Sequence, residues 1–117
     1  MATEIVHIRI GPGQEVMAVL ADEIAQHALT EGAIVSVIGA VDEFCISTMP
    51  ADDARKDVLT EYHIPCELSG TGEIRDGKPH IHAVLGRSGD QAISGHLHWA
   101  KVKSWYVSVF ILISKKV

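Results

Sequence analysis

The sequence predicts an α+β fold: a mostly antiparallel, twisted β-sheet with one main α-helix, at about residues 14–31, packed on it. Three observations carry this. Only one stretch holds a sustained helical repeat of apolar residues. Most of the remainder consists of apolar, β-branched runs. Those runs are joined by short connections rich in Gly, Pro and Asp, which favour antiparallel neighbours.

Taken in order, residues 4–10 read as a strand, with Ile5, Val6, Ile8 and Ile10, and Gly11-Pro12-Gly13 ends it in a tight turn. The helix follows. Val16, Leu20, Ile24 and Ala28 recur every four residues, and Met17, Ala21 and Leu29 widen the stripe. Asp22, Glu23, Gln26 and Glu31 form the polar side, and Gly32 stands where a left-handed helix cap is expected. Residues 33–38 read as a buried strand, interrupted at Gly39-Ala40 and resumed over residues 41–48. A polar loop with Pro50, Asp52 and Asp53 leads to strand material at 57–64 and 67–74, broken near Pro65, which marks an edge or a bulge. Asp76-Gly77-Lys78-Pro79 is a turn signal. Residues 80–87 and 91–99 flank a second turn, Ser88-Gly89-Asp90, and residues 104–114 make the last strand. Its apolar run, Val107 to Ile113, is too short for a membrane helix and reads as a strand buried on both faces, in the core or at a subunit interface. One helix covers little of such a sheet, so a homo-oligomer is expected to bury the rest.

The 117 residues imply one domain, 1–117, and a 47% hydrophobic, 21% charged composition is globular. The N-terminus has no basic segment followed by an apolar core, so no secretory leader is expected. Cys45 and Cys66 form no CxxC and read as reduced core thiols of a cytoplasmic protein. The net charge is −5, from 15 acidic and 10 basic residues, and the basic residues are scattered. Affinity for DNA comes mostly from Lys and Arg on phosphates, so this chain has no global attraction to nucleic acid.

The most informative chemical feature is a histidine block. Of seven histidines, four are His80, His82, His96 and His98. Residues two apart on a strand share a face, so each His-x-His pair does. If Arg87 and Gln91 close the Ser88-Gly89-Asp90 turn, paired positions sum to a constant, placing His82 opposite His96 and His80 opposite His98. Opposed Cβ atoms lie about 4.5–5.5 Å apart, and imidazoles at that spacing can converge on one ion with Zn–N bonds of about 2.0–2.1 Å. Four cationic rings would repel, and a metal resolves that conflict most simply. The competing reading is that the rings bond backbone or solvent, and a bulge at Gly95 would undo the convergence. Glu67 and Glu73 stand as possible oxygen ligands or imidazole partners. Gly11-Pro12-Gly13 lacks a phosphate-loop lysine and reads as a turn rather than an anion site. The spacing identifies no Ser-His-Asp or Cys-His arrangement, so a metal-dependent activity is the one class of catalysis the residues suggest.

Along essentially its whole length the chain also resembles a known family. The residues that carry the resemblance are Arg9 before Gly13-Gln14-Glu15, Ser69-Gly70-Thr71, the run Asp76-Gly77-Lys78-Pro79-His80-Ile81-His82, and Gly95-His96-Leu97. They are similar to the plants-and-prokaryotes-conserved (PPC) domain, found after AT-hooks in plant nuclear proteins and alone in bacteria and archaea. The resemblance implies a compact α+β domain, a homotrimer, and a metal site, zinc by the donor set, on His80, His82 and His96. His98 stands where the family is usually not histidine, and Ser94 replaces the first glycine of the usual Gly-Gly-His-Leu. No Arg-Gly-Arg-Pro hook is present, and Glu61 to Cys66 does not match the plant partner-binding segment. DNA binding, the family's other description, is disfavoured on these grounds and by the charge.

Overall fold

The computed structural model describes residues 4–113. Residues 1–3 and 114–117 lie outside the described residues, and with them Ser114, the expected last residue of the C-terminal strand. The element order is β1 (Ile5–Ile10), α1 (Val16–Gln26), β2 (Glu31–Val41), β3 (Glu43–Thr48), β4 (Val58–Tyr62), β5 (Cys66–Arg75), β6 (Lys78–Arg87), β7 (Gln91–Lys101) and β8 (Val107–Ile113). The eight strands form one sheet in the order β1-β8-β2-β5-β6-β7-β3-β4. All pairings between them are antiparallel. The fold is thus α+β with a large sheet and a minor helix.

The sheet is strongly curled. Asp42 alone separates β2 from β3, yet β5, β6 and β7 lie between them in the sheet. The sheet must roll for the end of β2 to meet the start of β3. Asp42 holds the junction: its N–H donates to the Lys101 carbonyl, and its carboxylate accepts from the Lys103 and Ser104 N–H groups at 2.8 and 3.2 Å. The helix packs against β7, β6 and β1, inside the curl. Val16, Leu20 and Ile24 supply its fully buried stripe, in one core cluster with Ile10, Phe44, Ile81, Leu97 and Val109. Burial alternates along β6, with Ile81, Ala83 and Leu85 inward, so His80, His82 and Val84 lie on the outer face.

Glu15 starts the helix. Its carboxylate accepts hydrogen bonds from the N–H groups of Met17 (2.8 Å) and Ala18 (2.9 Å), two of the unpaired donors of the first turn. It also accepts from the Ala100 N–H of β7, 2.8 Å away. The Glu15 side chain therefore occupies the helix N-terminus, which agrees with reading Gly11-Pro12-Gly13 as a turn. Because Glu15 ties helix to sheet, Glu15→Ala is expected to cost about 2 kcal/mol, read as a lower urea midpoint with an unchanged slope.

The helix is shorter than the apolar repeat implies, and Gly32 is not its cap. Ala28 takes the left-handed conformation (φ 51), with Leu29 N–H bonded to the Ile24 carbonyl and Ala28 N–H to that of Ala25. That is a Schellman ending made without glycine. Ala28 and Leu29 extend the apolar stripe in sequence but belong to the turn. Gly32 lies within β2, where a Cβ would press on Ile74 and Ile111 at 3.2 and 3.3 Å. Nor does Gly39-Ala40 interrupt a strand: β2 runs through it, and its irregularities fall between Ile34 and Val37. Glycine is needed at 39 because a Cβ there would lie 2.0 Å from the Tyr106 carbonyl oxygen.

In β8, Val107, Val109 and Ile111 fill the core. On its other face Ser108 is buried and Phe110 stacks on His7, ring centroids 4.4 Å apart. Both cysteines are free and buried, and burial pushes both thiols above their usual pKa. Among the described residues no helix is long and apolar enough to cross a membrane.

Candidate metal centre

The site is built on the β6–β7 hairpin. Its turn closes at Arg87↔Gln91, with Gly89 and Asp90 at φ 87 and 60, and the ladder runs back to His82↔His96. No bulge falls at Gly95, so His82 and His96 project from facing positions on the outer side of the curl. The expected pairing of His80 with His98 does not form. The β6–β7 ladder stops at His82↔His96, because β7 bulges against β3: Ile46 pairs with Leu97 and Cys45 with Trp99, leaving His98 as the extra residue. His80 is instead held from the other side, across the β5–β6 ladder, by Glu73.

Three rings nevertheless converge. Centroid separations are 4.9 Å for His80–His82, 4.8 Å for His80–His96 and 6.2 Å for His82–His96. One ring nitrogen from each of the three lies within 4.8 Å of the others. Two nitrogen ligands of a tetrahedral zinc ion stand about 3.3 Å apart, so coordination asks these partly exposed side chains to close by up to about 1.5 Å. His98 lies beside the cluster, 4.7 Å from His96, but its Nε2 is 2.8 Å from the Ser47 hydroxyl oxygen.

The electrostatics favour neutral imidazole at His96. Burial pushes His96 below the usual imidazole pKa; His98, His80 and His82 push the same way, and Asp57 opposes them. Glu73 Oε2 is 2.8 Å from His80 Nδ1. That contact holds the Glu73 carboxyl below its usual pKa against some desolvation, and Arg75 adds to it. With Nδ1 engaged by a carboxylate, Nε2 is the nitrogen His80 has left to ligate. Of the two glutamates singled out from sequence, then, Glu73 joins the cluster. Glu67 pairs with Gly86 and lines a separate depression beside Trp105.

The strands themselves are shaped by glycine. A Cβ on Gly72 would lie 2.1 Å from the His80 carbonyl oxygen, and one on Gly70 would lie 2.5 Å from that of His82. Bare backbone at these two positions lets β5 approach β6 where β6 carries the histidines. Ser47 and Asp57 went unmarked in the sequence reading. Both reach the site through pairing of β3 with β7 and the loop after β3, contacts with no local sequence signature.

Comparison with known proteins agrees with this architecture. A search of functionally curated proteins found no match. Among solved structures, a metal-containing protein of Archaeoglobus fulgidus is 29% identical, with a TM-score of 0.77 over 94% of this chain and 79% of that one. A plant- and prokaryote-conserved protein of Pyrococcus horikoshii is 20% identical, with a TM-score of 0.84 over 97% and 80%. A Ralstonia eutropha protein provisionally described as DNA-binding is 17% identical, with a TM-score of 0.79 over 94% and 78%. The last two likenesses concern the fold. The model of the Plants and Prokaryotes Conserved (PCC) domain matches residues 2–115, and with the fold and histidine hairpin in place the chain belongs to that family, written PCC or PPC.

Proposed function

We propose that this protein binds zinc through His80, His82 and His96 and assembles as a homotrimer in the cytoplasm. The observation that carries the metal reading is the approach of three imidazole nitrogens, from two adjacent strands, to within 4.8 Å of one another. Glu73 on His80 supports it, since ligating histidines commonly donate their second N–H to a carboxylate. Imidazole nitrogens suit zinc, and three of them with a further position open is the pattern of catalytic rather than structural sites. Zinc so held supplies Lewis acidity; the chain's own residues supply the ligands and the carboxylate that orients one of them. The metal-containing relative from Archaeoglobus fulgidus supports the same reading.

Assembly is supported by large apolar side chains left exposed on the monomer, Ile38 (56%) and Trp105 (67%), which line one depression. The buried free thiols support a reducing compartment. DNA binding is described for relatives, but this chain's charge of −5 opposes it.

Elemental analysis of purified protein is expected to find near-stoichiometric zinc, lost in the His82→Ala/His96→Ala variant. Full metal content in that variant would sink the assignment. Light scattering checks the trimer, and the absence of a gel shift at low salt, where electrostatics are strongest, would close the DNA alternative.

A further inference from the structure

Beside the imidazoles, on the same outer face, the sheet and the loop after β3 enclose a depression of about 880 Å³. His82 and His96 form part of its wall. We propose that this depression is a binding site for a small uncharged molecule bearing oxygen donors, one end at the metal and the other among hydroxyl groups. The inference rests on the metal reading above and names the ligand class for that site.

The lining decides the class. Ser47, Ser69, Thr71 and Ser94 contribute hydroxyl groups, each able to donate once and accept twice. Such groups match neutral hydroxyl, carbonyl or amide partners. Met49 and Val84 add apolar surface, and both are substantially exposed, at 65% and 44%. They offer contact to a short carbon skeleton. Among the described residues no Lys or Arg lines the space, and the one acidic side chain there is Asp57. Phosphate and carboxylate groups are held by Arg forks, lysines or helix N-termini. Here an anionic tail finds none of these and meets Asp57.

Ser47 ties the depression to the histidines. It pairs with His96 across β3–β7, is 3% exposed, and has its hydroxyl oxygen 2.8 Å from His98 Nε2. That contact uses one of the hydroxyl's three hydrogen-bonding capacities. In either His98 tautomer Ser47 keeps at least one for a ligand. His98, the histidine outside the converging trio, is thereby a positioning residue: it fixes the rotamer of a polar group next to the metal ligands.

Two probes with the same metal-chelating head separate the terms. Succinamohydroxamic acid has an uncharged primary amide at its tail, and succinomonohydroxamic acid has a carboxylate in its place. Calorimetric titration of zinc-loaded protein at neutral pH is expected to show the uncharged tail binding about tenfold more tightly. Ser47→Ala and Thr71→Val should each weaken it by about threefold to tenfold, one lost hydrogen bond apiece, with zinc content unchanged. Ser88→Ala, in the distant hairpin turn, should change nothing. Equal affinity for the two tails, or no effect of Ser47→Ala and Thr71→Val while zinc stays stoichiometric, overturns the ligand class and leaves the metal reading standing. Absence of zinc from the wild type overturns both.

Discussion

Gly72→Ala is expected to lower the unfolding temperature by about 10 °C, whereas Gly86→Ala, on the neighbouring strand, is expected to leave it nearly unchanged. The added methyl at 72 would sit 2.1 Å from the His80 carbonyl oxygen and 3.0 Å from the Ile81 Cα. Both are backbone atoms, so no side-chain rotation relieves the overlap, and β5 and β6 must separate. Overpacking of this kind costs about 2–4 kcal/mol, and each kcal/mol is worth about 4 °C in a chain of this size. At Gly86 the nearest atoms to an added Cβ are 4.0 Å away and φ is not in the left-handed region, so alanine fits. Calorimetry on the two variants measures the difference directly. Because the displaced backbone is that of His80, Gly72→Ala should also weaken metal uptake, while Gly86→Ala should not. Equal stability of the two variants would mean that the close approach of β5 to β6 is absent in solution.

The same residues show what the sequence could reveal about this site and what it could not. The register of His82 with His96 was legible because a tight turn of known closure fixes every pair in a hairpin by counting. That His80 and His82 share one face of β6 was legible from alternation. The helix was legible as a helix, but its end was not: Ala28 and Leu29 continue the apolar repeat, and only the backbone shows that Ala28 reverses the chain. The failed pairing of His80 with His98 has a similar cause. The bulge at His98 arises from how β7 meets β3, a strand far away in sequence, so nothing within the hairpin announces it. Strand order was wholly illegible. β2 and β3 are separated by one residue yet stand apart in the sheet, and β8 inserts between β1 and β2. Such order follows from nonlocal packing round the helix. Ser47 and Asp57 reach the histidines by that route, which is why the convergence of His82 and His96 was readable and their surroundings were not.

Zinc in excess is expected to raise the unfolding temperature of the wild type by about 10 °C and that of His82→Ala/His96→Ala not at all. A ligand that binds only the folded state stabilises it by about 2.7 kcal/mol at one hundred times its dissociation constant, and the conversion to temperature is as above. The effect should also depend on pH in a set direction. Coordination requires neutral imidazole, so protons compete with the metal and the zinc-induced shift should shrink as the pH falls below the ordinary imidazole range. The metal-free protein has its own, shallower dependence. Burial, with the neighbouring histidines, holds His96 below its unfolded pKa. The unfolded chain therefore takes up the proton first, and the contribution of His96, complete above the unfolded value of 6.5, is lost as pH falls through the folded one. Scanning calorimetry at a series of pH values, with and without zinc, separates the two slopes. A zinc shift that persists unchanged into acid, or that survives in the double variant, would place the metal on groups other than these three imidazoles.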